Sequence, residues 1–168
     1  PTVKIIEALS HDHSLVVQTA WLDPALHFLR NNQVLPRQLL YFAKSGEVEM
    51  RKALASRFDE VVAIEKGCEC LLNDQKLSVI ASLIPKLKTM KGFTPPNDPV
   101  INLLCLRYIP DIDDAFLARC LGSTASEVLL ELCTFAKRSN RTDILMELIR
   151  KRLKDRDMQW RLDYELLE

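Results

Sequence analysis

Apolar residues recur at intervals of three and four along most of this 168-residue chain. One such series is Leu77, Ile80, Leu83 and Leu87. This spacing places the apolar side chains on one face of an α-helix, whereas a half-buried strand would alternate at every second residue. The dipeptides Asn-Gly and Asp-Gly, which mark tight hairpin turns, do not occur in the sequence. We therefore expect an all-α fold.

Prolines and capping residues mark where these helices are expected to begin. Two Asp-Pro pairs, at residues 23–24 and 98–99, place an N-cap acceptor just before a proline at the first helical position. Pro36 and Pro110 are expected to open two further helices, and residues 124–127 fit a capping box. These limits predict about eight to eleven short helices. The predicted ranges are 3–9, 12–21, 24–31, 36–44, 47–66, 68–72, 75–90, 99–108, 113–121, 125–138 and 142–166, the last with a break near 155–157.

The predicted connections are short, which favours consecutive helices that pack as antiparallel or steeply crossed neighbours. Each Asp-Pro helix is followed by a second proline, at offsets of 12 and 11 residues. The two helix–proline–helix units match only loosely. The pattern therefore predicts either an irregular helical bundle or a degenerate stack of helical hairpins of the HEAT or armadillo kind.

The stretch KGFTPPNDPV, residues 91–100, raises the question of domain number. It is short and lies between strongly apolar segments, whereas a flexible linker would be longer and more polar. We expect Gly92 to end a helix whose last residue is Met90, and Phe93 to pack against the core. Residues 1–168 are therefore predicted to form one domain, with 92–98 as the place where a bend between two subdomains would fall.

Composition restricts the class of protein. Hydrophobic residues make up 48% of the chain and charged residues 27%, and the 23 basic residues balance 23 acidic ones. A protein that binds nucleic acid by bulk charge would be more basic. No signal peptide or transmembrane stretch is recognisable, so we expect an intracellular protein of the cytoplasm or nucleus that does not enter a membrane. The first residue is not Met, which suggests a part of a larger protein.

The five cysteines are expected to be free thiols in a reducing compartment, because their number is odd and four of them lie in apolar runs. Cys68 and Cys70 lack the spacing and the second ligand pair of a zinc site. His11 and His13 could share a metal ion only on a loop, and no acidic cluster accompanies them. Phosphate-binding loops, nucleophile elbows and zinc-protease motifs are absent from the sequence. We therefore predict no catalytic, cofactor-binding or metal-binding residues, and no enzymatic activity.

The segment 137–156 is the most uneven part of the chain in charge, with eight basic and three acidic residues. One interpretation is a solvated helix face whose cations suit the C-terminal end of a helix dipole. The other is a basic stripe that contacts RNA phosphates or an acidic protein surface. Aromatic residues do not interrupt the stripe, which disfavours recognition of single strands by stacking. The candidate binding residues are Arg150, Lys151, Arg152, Lys154 and Arg156.

The following segment places Trp160, Tyr164 and Leu167 at positions i, i+4 and i+7, which share one face of a helix. Such a stripe is typical of core packing. It could also anchor a partner helix, since Trp and Tyr are common anchors of protein interfaces. We include these three residues as candidates for partner binding.

The stretch LLCLRYIPDIDDAFLARCL, residues 103–121, resembles a segment in the helical part of the nucleolar protein eleven family of ribosome-assembly scaffolds. The resemblance covers fewer than twenty residues, mostly leucine, cysteine and the Pro-Asp-Ile triplet, and we assign no family from it. It implies a helical scaffold in a ribosome-assembly complex.

We expect a non-catalytic domain of a larger intracellular protein that acts as a scaffold or adaptor. The expected partner is another protein, presented as a helix or an acidic peptide. The alternative is a helical module that binds RNA through 137–156, for example in an RNA-processing or ribosome-assembly complex. Oligomeric state does not follow from the sequence.

Overall fold

The computed structural model describes residues 3–10, 12, 14–32 and 36–154. These residues are mostly helical, and the extended pairing described among them is a single parallel bridge between Thr89 and Asp111. The all-α prediction is therefore confirmed. The α-helices are α1 (Val3–Ser10), α2 (Leu15–Asn32), α3 (Pro36–Ser45), α4 (Val48–Ala55), α5 (Phe58–Ile64), α6 (Leu77–Leu83), α7 (Pro99–Tyr108), α8 (Asp114–Leu121), α9 (Ser126–Arg138) and α10 (Thr142–Lys154). Two 3₁₀ helices cover Lys66–Asn73 and Ile84–Lys86.

The chain divides into two compact units. The first contains residues 1–87 and 92–94, and the second contains residues 88–91 and 95–168. The prediction that 1–168 behave as one domain, with a bend at 92–98, stays a prediction.

The core of the first unit forms around α4, which packs against both α2 and α6. Leu54 of α4 and Ile80 of α6 are buried at this contact. Trp21 of α2 is fully buried and meets the ring of Phe42 edge to face, with ring centroids 5.5 Å apart. Aromatic pairs favour this geometry because the positive ring edge faces the negative ring face.

In the second unit α9 lies at the centre, where it contacts α7, α8 and α10. Its apolar face is buried at Val128, Leu132 and Phe135, positions separated by three or four residues. A tight turn joins α9 to α10, and there Asn140 adopts a positive φ of 53°. Asn tolerates this left-handed conformation better than most side chains do. The three consecutive helices α8, α9 and α10 thus form the part of the unit that contains the candidate site.

The expected helix boundary at residues 23–24 is wrong, because α2 continues through Pro24 from Leu15 to Asn32. Proline removes one N–H from the helix ladder, which normally ends or kinks a helix. Here Trp21 and Leu22 before the proline and Ala25 and Leu26 after it are buried, so both sides belong to one core-facing helix. Burial of that face outweighs the missing hydrogen bond.

The predicted helix 75–90 is also wrong in its second half. The α-helix ends at Leu83, and after the short 3₁₀ helix the chain becomes extended. The Met90 N–H donates to the Asp111 carbonyl at 3.0 Å, so Met90 is not the end of a helix and Gly92 does not cap one. Gly92 does adopt a positive φ of 78°, in the turn that follows. Phe93 is buried, as predicted.

Pro110 does not open a helix. It lies in a bend after α7, and α8 begins four residues later, with Asp113 as its N-cap. The Asp113 carboxylate accepts a hydrogen bond from the Phe116 N–H at 2.7 Å. The capping box at 124–127 is wrong as well, since α9 has Ala125 at its N-cap position and no side-chain cap. By contrast, the N-cap at Asp98 is confirmed, as its carboxylate accepts from two N–H groups of α7.

Two other predicted helices differ from the structure in length. The range 47–66 is divided into α4 and α5 because residues 56–57 interrupt it, and Arg57 there has φ −119° and ψ 26°. The helix predicted at 142–166 is described as α10 as far as Lys154, and residues 155–168 lie outside the described residues.

Candidate functional site

Two helices of the second unit, α8 and α10, lie side by side and run in the same direction. At their N-terminal ends the Arg141 guanidinium contacts the Asp114 carboxylate at 2.9 Å. At their C-terminal ends the Lys151 ammonium donates to the carbonyl oxygens of Leu121 and Ser123, at 2.9 and 2.7 Å. Polar contacts therefore join α8 to residues 141–151 at both ends of the helix pair.

A groove of about 530 Å³ lies between these two helices. Its apolar part comes from Leu117 and Leu121 of α8 and from Ile144 of α10. Ala118 and Met146 also line the groove and are exposed, with 51% of Met146 accessible to solvent. A groove with a buried apolar floor and exposed apolar edges has the chemistry of a docking surface for an apolar side chain or helix face.

Charged groups of both signs form the rims of the groove. Arg141 bridges the carboxylates of Asp143 and Asp114, at 2.7 and 2.9 Å. The hydrogen bonds to Asp143 and then to Asp114 raise the pKa of the Arg141 guanidinium, and the bond from Arg141 lowers the pKa of Asp143. Near the other end Arg150 pairs with Glu147 one turn earlier on α10. The rims are therefore charged at neutral pH, but most of their charge is already paired.

The candidate residues from the sequence fall into three groups. Arg150 is exposed and lines the groove, whereas half-buried Lys151 points away to the end of α8. Arg152 and Lys154 lie in α10, whose backbone alone is described at these two positions. The remaining candidates lie outside the described residues: Arg156, Trp160, Tyr164 and Leu167.

Several cations of the segment 137–156 act inside the fold. Arg138 donates to the carbonyl oxygens of Leu106 and Arg107, at the C-terminal end of α7. Lys151 does the same at the end of α8. The last carbonyl groups of a helix lack partners within the helix and carry partial negative charge, so cations stabilise them. This supports the interpretation that these cations complement helix ends, with the difference that the ends belong to neighbouring helices.

The thiols of the second unit are buried rather than presented at this groove. Burial raises the pKa of Cys105 to about 12 and that of Cys120 to about 11. Both thiols are therefore protonated at neutral pH, and a protonated thiol is a poor nucleophile and metal ligand. Among the described residues, no group of three or more His, Cys, Asp or Glu side chains is placed to hold a metal ion.

Of the helices that the structure describes, none is both long enough and apolar enough to cross a membrane.

Sequence reasoning missed the groove because its walls come from two helices whose pairing the sequence does not reveal. One signal was available. Along α10 the buried positions are Ile144 and Leu148, and Met146 lies between them on the opposite, polar side. An apolar residue outside the apolar stripe of a helix indicates an exposed hydrophobic position, although not what it contacts.

The chain matches no protein-family model, no curated protein and no solved structure.

Proposed function

We propose that the chain is a non-catalytic protein-interaction domain of a larger intracellular protein, and that its binding surface is the groove between α8 and α10. The observation that carries the proposal is the apolar floor of this groove, flanked by exposed Met146 and by charged rims. The proposed occupant is an amphipathic helix of another protein. Short helices of the chain serve as a scaffold that holds the two walls in place.

The dimensions of the groove suit a helix. With its eight residues and a rise of about 1.5 Å per residue, α8 is roughly 12 Å long, the length of about two turns of a partner helix. An apolar face of a partner helix would contact Leu117 and Ile144, and its polar flanks would meet the rims. Recognition of this kind relies on apolar anchors one or two turns apart.

Met146 suits the edge of such a site. Its unbranched thioether side chain adapts to differently shaped neighbours, which is why Met is common on surfaces that bind several partners. The rim pairs Arg141–Asp114 and Arg150–Glu147 would contribute to orientation more than to affinity, since exposed ion pairs are worth about 0–1 kcal/mol.

The repeat architecture is part of the proposal. In the second unit α8 and α10 run in the same direction, and α9 lies between them in chain order. The direction of the chain therefore alternates along the three helices. Alternating helices of this kind fit the degenerate HEAT- or armadillo-like stack that we propose, and they also occur in an irregular helical bundle. Such stacks use grooves between helices as binding surfaces.

RNA binding through 137–156 has less support. Arg138 and Lys151 donate to carbonyl groups of the chain, and Arg141 bridges two carboxylates. Transfer of these cations to phosphate would break contacts that hold helix ends. The charge available to a phosphate backbone is therefore smaller than the sequence suggests.

The proposal is tested by comparing the proteins that bind to the native chain with those that bind to a Met146→Glu variant. The new carboxylate lies at the groove, and it should remove the specific partner because burying an unpaired charge is strongly unfavourable. Folding of the variant should be unaffected, since 51% of Met146 is accessible to solvent and a carboxylate there stays hydrated in the free chain.

Val100→Glu is the matched control. Val100 is 64% exposed, lies on α7 of the same unit, and is outside the groove. A protein retained by the native chain and by Val100→Glu, and lost with Met146→Glu, supports the proposal. Equal binding of every protein by the two variants contradicts it. Binding to single- or double-stranded RNA that is weakened by Arg150→Glu with Lys154→Glu, and that falls with added salt, would favour the RNA function instead.

A further inference from the structure

The charged side chains on the rims of the α8–α10 groove are unevenly distributed. Where the two helices begin, the carboxylates of Asp114 and Asp143 share one cation, Arg141, at 2.9 and 2.7 Å. Further along α10, Glu147 and Arg150 form a balanced pair. These five lining residues together have a net charge of −1, and the excess negative charge lies where both helices begin, which we call the acidic end of the groove.

The carboxylates at the acidic end are open to a partner. The exposed fraction of the side chain is 83% for Asp114 and 60% for Asp143. Arg141 contacts Asp114 through Oδ1, and the other oxygen, Oδ2, accepts no hydrogen bond within the described part of the chain. A cation from a partner can therefore bind here without displacing Arg141, whereas an acidic partner would meet unbalanced negative charge.

The direction of the two helices favours one direction for a partner helix. Both α8 and α10 begin at the acidic end, and the N–H groups of a first helical turn carry partial positive charge. A partner helix that runs antiparallel to them brings the partial negative charge of its last turn to this end. Lys and Arg are favoured in the last turn of a helix, so an antiparallel partner presents a cation where the carboxylates lie.

From the apolar floor of the groove and the position of its excess charge, we infer that the α8–α10 groove binds a basic amphipathic helix that runs antiparallel to both of its walls. A Lys or Arg in the last turn of this helix pairs with Asp114. Because Asp114 lies three residues before Leu117 on α8, the cation follows an apolar anchor of the partner by three or four residues. The inference rests on the proposed function and adds the charge and direction of the partner, which the sequence alone suggested to be an acidic peptide.

A displayed library of helical peptides tests charge and direction together. The peptides have about sixteen residues, enough for a helix in water, with apolar residues fixed on one face and Lys, Glu, Gln or Ala varied in the first and last turns. They are selected on the full native chain. Peptides that also bind a variant with Ala118→Gln and Met146→Gln are then removed, because these changes make both exposed edges of the groove polar and leave its charge unaltered.

The surviving peptides are expected to carry Lys in the last turn, three or four residues after an apolar anchor, and to show no such preference in the first turn. Survivors with an acidic last turn, with the cation in the first turn or without a charge preference would overturn the inference and leave the groove standing as a binding surface. The absence of any survivor would contradict the proposed function, and the inference with it.

Fluorescence anisotropy of one surviving peptide identifies the carboxylate. Asp114→Asn is expected to weaken binding about two- to fivefold, the effect of one exposed ion pair. Glu127→Gln is the matched control and should leave the affinity unchanged, because it removes an exposed carboxylate from the first turn of α9, outside the groove. With Gln in place of the last-turn Lys of the peptide, the native chain and Asp114→Asn should bind equally well.

Two further results would overturn the inference. One is an equal effect of Asp114→Asn on the Lys and Gln forms of the peptide, since the carboxylate would then act on the fold rather than on the partner's cation. The other is a native chain that dimerises while the variant with both Gln substitutions stays monomeric, which would identify a second copy of the chain as the occupant of the groove.

Discussion

Among single residues, Lys151 is a cation that the sequence suggests as a binding residue and that the structure uses to stabilise the end of a helix. Its ammonium group donates to Leu121 O and Ser123 O, while its neighbour Arg150 is exposed and pairs with Glu147. We predict that Lys151→Met lowers the free energy of unfolding by about 1–2 kcal/mol, because hydrogen bonds from a charged donor are lost and carbonyl groups at a helix end are left without a partner. Urea unfolding measures this change.

The adjacent residue supplies the control for this prediction. Arg150→Met removes a similar charge from an exposed i,i+3 pair, and it should change the free energy of unfolding by less than about 0.5 kcal/mol. Equal effects of the two substitutions would mean that Lys151 is not a structural cation.

The Asp98 side chain caps the N-terminal end of α7. Its carboxylate accepts hydrogen bonds from the N–H groups of Val100 and Ile101, at 2.9 and 3.0 Å, and Pro99 follows it at the first helical position. We predict that Asp98→Ala costs about 1 kcal/mol of stability, whereas Asp98→Asn costs much less because the amide oxygen still caps the helix. Thermal unfolding of the two variants distinguishes them, and a similar loss in both would indicate that the charge rather than the cap matters.

At the scale of elements, the sequence predicted helices well wherever a side chain and the backbone gave the same signal. Asp98 with Pro99 is such a case. The prediction of helices from the sequence failed where tertiary burial outweighed a local signal, as at Pro24 inside α2. It also failed where an apolar run continued beyond the end of its helix, as at Leu87 and Met90. The extended stretch there is stabilised by a hydrogen bond to Asp111, a contact between residues far apart in sequence that periodicity cannot reveal.

The same limit applies to the candidate site. The sequence identified Arg150 as a candidate and described 137–156 as basic, but it did not reveal that Arg138 and Arg141 contact acceptors on α7 and α8. The groove depends on two helices separated by α9, so no local pattern contains it. Its apolar floor is made of residues such as Leu117 that look like ordinary core positions in the sequence.

At the scale of the whole molecule, the one-domain prediction is tested through the cores of the two compact units. Leu54 in the first unit and Leu132 in the second are both fully buried, and truncation of either to Ala should cost about 2–5 kcal/mol. If 1–168 unfold as one domain, each variant lowers hydrogen-exchange protection in both units, because global unfolding then exposes every core amide. Loss of protection confined to the unit that carries the substitution would show two domains.

Site-specific photocrosslinking from position 146, in cells that express the chain, tests most directly whether the α8–α10 groove binds another protein. A photoreactive phenylalanine analogue at Met146 lies at the edge of the groove, and the same analogue at Val100 lies on α7 outside it. We predict that position 146 forms a crosslink to a distinct second protein and that position 100 does not. Crosslinks from position 146 that match those from position 100, or that join the groove to RNA, would contradict the claim that the α8–α10 groove is a protein-binding surface.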